Sequence, residues 1–412
     1  MKNNFAALVM LIALVHFSSA KTPEKVIYSF PSGGDITTVG TLTPDKAGNL
    51  YGVVAGIGNG AVFELTPAKG SRWTETKIYN FTGGSDGSAP SGGVIFDAAG
   101  NLYGVATTGG NGCSGGCGTV YELTPGENGQ WSVSVLYSFT GGTDGGYPAG
   151  TLVFDQSGNL YGGTETGGDL SCTVTGHNGC GAIFELSPGE NGQWTEKVIH
   201  AFKAHSDGAE EVPSGLIFDG AGNLYGTTAM GGKGGVGTAF ELTLTRGGKW
   251  TETILHSFTS APDADSPAGA LVFSGSALYG TTAFGGSSTC YEGLGCGTVF
   301  QLTKNGGEWS ETIIHSFQGS DGMSPTAAVL PDQVGNLFVV TSGGGSDWGT
   351  VVELSPIGDG NWQESILHDF GFHAGDGRSP LSGLVFGPSD KLFGATPSGG
   401  KNGAGTVYES TP

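Results

Sequence analysis

Positive charge is scarce in this chain: 16 Lys and Arg stand among 412 residues against 37 Asp and Glu, a net charge of −21. Without clustered cations there is no electrostatic footprint for a phosphate backbone, so nucleic acid is excluded as a partner. Charge of either sign is sparse as well, at 13%. A disordered acidic tail would be more charged and less apolar, whereas 37% apolar and 10% aromatic residues leave material for a core. Beyond the first twenty residues no apolar run is long enough for a bilayer, so no membrane span is expected in the body of the chain. Glycine is what the chain has in excess, 80 residues against an average of roughly 7%. That excludes an ordinary helical protein. The lack of a Gly-X-Y period excludes collagen.

The first twenty residues read as a signal peptide: Lys2 supplies the positive start, Phe5 to Phe17 the apolar stretch, and Ser18-Ser19-Ala20 the small-residue cleavage site. The expectation is a secreted protein, extracellular or periplasmic, cleaved near Ala20, with residues 21–412 forming one domain. Export favours disulfides, and the six cysteines fall into three close pairs, Cys113/Cys117, Cys172/Cys180 and Cys290/Cys296, each inside one Gly-rich stretch. They read as local loop staples.

Four short motifs recur. GNLYG and its variants centre on Leu50, Leu102, Leu160, Leu224, Leu278, Leu337 and Leu392; GTVFELTP and its variants begin at Gly60, Gly118, Gly181, Gly237, Gly297, Gly349 and Gly405. A WTETxLHSF-like run ends at Phe81, Phe139, Phe202, Phe258, Phe317 and Phe370, and a P-x-G-L-V-F-D run precedes each GNLYG. Four alternating or apolar runs per unit, bounded by Gly, Pro, Asn and Asp, are four antiparallel strands. A unit of about 56 residues made of four strands is a propeller blade. The predicted fold is therefore all-β, a seven-bladed β-propeller with strands a (LVFD), b (LYGTT), c (TVFELTP) and d (WTETILHSF). The seventh unit stops after strand c, while residues 24–30 read as a d strand without a blade, so the N-terminal strand is expected to complete the last blade.

The recurring GNLYGTT…GG…GTVFELTP…W…F pattern resembles the GloVer-type tandem repeat of exported bacterial proteins, across essentially the whole mature chain. The resemblance implies export and a repeat architecture, and it transfers no catalytic residues. Many such proteins carry a C-terminal anchor; no such segment follows the seventh copy here.

Candidate chemistry is confined to the b–c and d–a connections, which open on one face of a propeller. Each d–a crossover carries one aspartate: Asp35, Asp86, Asp144, Asp207, Asp263, Asp321 and Asp376. An aspartate before Gly or Pro caps its own turn, the favoured reading, and Asp86, Asp144, Asp207, Asp321 and Asp376 are the positions at which Ca²⁺ would be the alternative. His200, His256, His315 and His368 take the place that Tyr28, Tyr79 and Tyr137 hold in other copies, which marks a structural position.

Two neighbourhoods depart from the repeat. Asp169, His177, His205, Glu210 and Glu211 gather between blades 3 and 4, and such a set would serve acid–base chemistry. Asp347, Trp348, His373 and Arg378 gather between blades 6 and 7, where an exposed indole beside charged groups would suit a sugar ring. With no catalytic constellation repeated, the expected function is a non-enzymatic binding or scaffold protein, a monomer presenting its loops to a glycan or protein. The alternative is a polysaccharide-active hydrolase or lyase using the first neighbourhood.

Overall fold

A computed structural model describes residues 24–32, 36–56, 58–70, 72–174, 177–203, 207–208 and 215–412, with the side chains at 173, 174 and 177 excepted. The signal peptide, Asp35, His205, Glu210 and Glu211 lie outside the described residues. Seven sheets of antiparallel strands form a closed β-propeller. Blade 2 shows the plan: strand a is Ser88–Phe96, b is Leu102–Thr108, c is Thr119–Pro125 and d is Trp131–Ser138, hydrogen-bonded in that order. In blades 1 and 5 strand a is split into two short segments that both pair with strand b. The ring closes as expected: Lys25–Ser29 joins Val385–Phe386, Leu392–Thr396 and Thr406–Ser410 as the outer strand of blade 7, with Lys25 opposite Glu409 and Ser29 opposite Thr406.

The repeated residues explain themselves in this frame. In the a–b hairpin of blade 2, Gly100 adopts a positive φ of 90°, while the Asp97 carboxylate accepts the backbone N–H groups of Ala99 and Asn101 and the Asn101 side-chain amide. The glycine of LYG has a different task. A Cβ on Gly226 would stand 2.7 Å from the Phe240 ring on strand c, so the glycine makes room for the aromatic beside it. Blade 6 confirms the rule by breaking it on both sides: Val339 fills the glycine position, and its cross-strand partner is Val352 rather than an aromatic.

Blades adhere through apolar contacts that each strand pattern supplies. The phenylalanine ending strand d packs edge-to-face on the strand-c aromatic of the next blade, as in Phe81–Tyr121 at 5.0 Å, Phe139–Phe184 at 5.1 Å and Phe258–Phe300 at 5.0 Å between centroids. The strand-d tryptophan reaches back to strand b of the preceding blade, as in Trp250–Tyr161 and Trp309–Tyr225.

The three cysteine pairs are disulfides as expected, Cys113–Cys117, Cys172–Cys180 and Cys290–Cys296, each closing one b–c connection. The second cysteine of each pair is also a core residue. Cys117, Cys180 and Cys296 are buried, and they pack in the same apolar clusters as Phe139, Phe202 and Phe317 respectively. The physical reason is their place in the chain: each directly precedes the glycine that opens strand c, Gly118, Gly181 or Gly297, where the backbone is already entering the sheet. A half-cystine there is an apolar side chain that fills core space, so each bridge ties its loop to the blade interior. Three disulfides also point to an oxidising, extracellular setting. Among the described residues no helix is long and apolar enough to cross a membrane.

Candidate functional site

Three places on this frame could carry function: the central passage, the junctions between outer strands, and the loop face. Strand a of every blade lines the centre, a passage of about 820 Å³ walled by residues such as Thr41, Ser91, Thr151, Leu216, Ala270 and Ser382. Its described lining contains no acid, base or thiol.

The outer junctions are richer. Strand d of each blade ends one residue after a Tyr or His, the following crossover supplies its aspartate, and strand d of the next blade, blade 2 excepted, supplies a glutamate two residues after the tryptophan position. At junction 1/2, Tyr79 donates to Asp86 at 2.8 Å, and Asp86 also accepts the Thr82 backbone N–H at 2.8 Å and the Thr82 hydroxyl. Burial works against that carboxylate, but these hydrogen bonds hold it below its ordinary range. Tyr137 and Asp144 repeat the bond at 3.0 Å at junction 2/3, and at junction 7/1 Tyr28 donates to Glu75 at 2.7 Å.

Histidine occupies the other four junctions, in two different geometries. His315 lies 3.0 Å from Asp321 at junction 5/6, and at junction 6/7 His368 lies 2.8 Å from Glu24 and 3.2 Å from Asp376. Burial alone would push His368 down, but the hydrogen bonds and charges of Asp376 and Glu24 override it and lift it to about 9. The closing strand is thus fastened by an imidazolium between two carboxylates. At junctions 3/4 and 4/5 the groups stand further apart: His200 Nε2 is 3.7 Å from Asp207 and 3.6 Å from Glu252, and His256 Nε2 is 3.5 Å from Asp263, with Glu311 beside it. Burial pushes His200 down, and burial together with the Asp207 charge pushes Glu252 up to about 8; Glu311 rises to about 7 for the same reasons, with Asp263 as its neighbour.

On the loop face the b–c and d–a connections do meet, as in the Gly110 N–H donating to Gly84 O at 2.8 Å. Trp348, His373 and Arg378 come together around a cleft of about 380 Å³ that Asp376, Ser398 and Gly400 also line. The Arg378 guanidinium lies over the Trp348 indole, 4.7 Å from its centroid. Gly371, at φ 81°, lets the indole lie against the chain, and Trp348 O accepts the Ser379 N–H at 2.8 Å. Asp347 stands just before the tryptophan at φ 98°, a strained value for a non-glycine residue, and is exposed outside the cleft. Phe372, which sequence reasoning passed over, is 72% exposed and packs its ring on His373 at 5.2 Å. The signal was available, because Gly371-Phe372-His373 places an aromatic where the other crossovers read PSG, TGG, TGG, KAH, TSA and QGS.

Of the first neighbourhood, Asp169 is described: its carboxylate accepts the Ser171 N–H at 3.0 Å and the Ser171 hydroxyl at 2.6 Å, which hold it below its ordinary range. His177 pairs with Val174 in a two-residue ladder inside the Cys172–Cys180 loop. The junction glutamates were also missed by sequence reasoning. Their signal is the acid that follows the tryptophan by two in Glu75, Glu196, Glu252, Glu311 and Glu364, with Val133 as the exception.

Comparison with known proteins supports the fold without naming an activity. A crystal structure of a protein from Lactobacillus plantarum shares 12% identity with a TM-score of 0.51, over 88% of this chain and 89% of that one. PQQ-bound aldose sugar dehydrogenase from Streptomyces coelicolor shares 14% identity (TM-score 0.41; 83% and 96% covered), and the NanB sialidase of Streptococcus pneumoniae 12% (TM-score 0.41; 94% and 69% covered). No curated protein matches the sequence. A repeat-family model matches three times in tandem, over residues 13–173, 170–312 and 289–412, and the chain belongs to the Gloeobacter/Verrucomicrobia repeat family.

Proposed function

We propose that the protein is exported and acts as a non-enzymatic binding propeller, with its ligand contact in the cleft between blades 6 and 7 and a neutral glycan as the ligand. The observation that carries this reading is the Arg378 guanidinium over the Trp348 ring at the cleft, with Trp348 39% exposed. An indole with a planar guanidinium over its ring offers a sugar ring an apolar surface and a fork of N–H donors suited to neighbouring hydroxyls. A net charge of −21 disfavours a polyanionic glycan.

Glycan-array screening of the purified chain, followed by titration of any retained glycan, tests this. Trp348→Ala should weaken binding by roughly 1–3 kcal/mol, the scale of one aromatic stacking contact, and Arg378→Ala by a smaller amount. Retention of full affinity by Trp348→Ala, or the absence of any retained glycan, would remove the cleft from consideration.

A further inference from the structure

Seven equivalent junctions in one molecule provide an internal control. Where the position is tyrosine, its hydroxyl reaches a carboxylate directly, at 2.7 to 3.0 Å. Where it is His315 or His368, the imidazole reaches one or two carboxylates at 2.8 to 3.2 Å. At His200 and His256 neither happens: His200 Nε2 faces Asp207 and Glu252 at 3.7 and 3.6 Å, and His256 Nε2 faces Asp263 at 3.5 Å, beyond a hydrogen bond, with Glu311 within 4.8 Å. His200 Nε2, Glu252 Oε1, His256 Nε2 and Glu311 Oε1 are closed to solvent and make no hydrogen bond. Buried polar atoms aimed at one another without a partner are costly, and a group between them would relieve the cost.

The spacing says what that group is. A tetrahedral divalent metal with N and O ligands at about 2.1 Å sets its ligand atoms about 3.4 Å apart, close to the gaps seen here and longer than a hydrogen bond. One imidazole nitrogen with two carboxylate oxygens suits a divalent transition metal, whereas calcium asks for six to eight oxygens. We propose that junctions 3/4 and 4/5 are divalent transition-metal sites, held by His200, Asp207 and Glu252 and by His256, Asp263 and Glu311, that pin neighbouring blades together. The ligands come from both blades at each site, so a bound ion favours the assembled ring over the unfolded chain.

Zinc is the probe. Full-length mature protein is stripped with chelator, reloaded with Zn²⁺, freed of excess and assayed for metal, with affinity from calorimetry. The expected result is about two ions per chain, about one in His200→Tyr or His256→Tyr, and none in the double variant, while His315→Tyr keeps both. Tyrosine is the occupant that other junctions already use, so the variants are expected to fold. Thermal melts check this: the double variant should melt cooperatively and gain nothing from Zn²⁺, whereas the parent should melt at a higher temperature with Zn²⁺ than without. Failure of the parent to bind zinc, or equal uptake by the double variant, overturns the proposal.

Discussion

Junctions 1/2 and 3/4 hold the same aspartate in the same crossover, yet Tyr79 donates to Asp86 at 2.8 Å while His200 stops 3.7 Å short of Asp207. A tyrosine hydroxyl is neutral and extends beyond its ring, so it satisfies one carboxylate oxygen and needs nothing further. Imidazole is shorter and titrates near neutrality, so its junction depends on what else is present. At junction 6/7 two buried carboxylates favour its protonated form and the group closes. At junction 3/4 burial wins and leaves a neutral ring facing a carboxylate of raised pKa. One repeated position thus holds a fixed hydrogen bond in blades 7, 1 and 2 and a charge-dependent contact in blades 3 to 6.

The sharpest way to break this comparison is to remove the closing imidazolium. His368→Ala would leave Glu24 and Asp376 buried against each other, and losing one partner of such a group costs about 3–5 kcal/mol. Denaturant unfolding should show a large loss, and His315→Ala a smaller one, because its second carboxylate, Glu364, is exposed. Equal losses would mean that the closing junction is no different from the others. A milder change probes the tyrosine side: Tyr79→Phe removes one hydroxyl and leaves Asp86 its bonds from Thr82, at a cost of about 1 kcal/mol in the same unfolding assay. A loss as large as that of His368→Ala would show that charge is not what separates the two kinds of junction.

How much of this was legible in sequence follows from the range over which each signal acts. Strand runs, the Asp–Gly–Asn turn and the unpaired N-terminal d strand are local patterns repeated several times, so the propeller and its closure could be read directly. The cysteine pairing was equally local, but the burial of Cys117, Cys180 and Cys296 was not, because it depends on the strand-d phenylalanine that each meets across the blade. The cleft residues Trp348, His373 and Arg378 stood out as departures from the repeat, and the structure brings them together. Phe372 lies in the same crossover and was passed over. The junction glutamates were obscure for a different reason: Glu252 serves His200 on the neighbouring blade, and nothing within one motif links an acid after a tryptophan to an imidazole in the preceding copy. The Tyr/His exchange was visible, but its meaning depends on a carboxylate that only the fold supplies.

The smallest expected effect lies in the pH dependence of the open junctions. Glu252, with His200, Asp207 and the Lys203 charge around it, is raised from 4.5 to about 8, chiefly by burial. Between these values the folded chain retains a proton that the unfolded chain releases, so stability present below about pH 4.5 is lost as the pH rises through 8. Glu311 and Glu196, each raised to about 7, act in the same direction. Metal-free protein should therefore melt at progressively lower temperature from pH 5 to pH 8, and Glu252→Gln, which cannot ionise, should flatten part of that slope. Saturating Zn²⁺ should oppose it, because a cation favours the ionised glutamate and the neutral imidazole that rising pH produces. A slope unchanged by Glu252→Gln would place the titrating group elsewhere and reduce the open histidine junctions to loosely packed versions of the tyrosine ones.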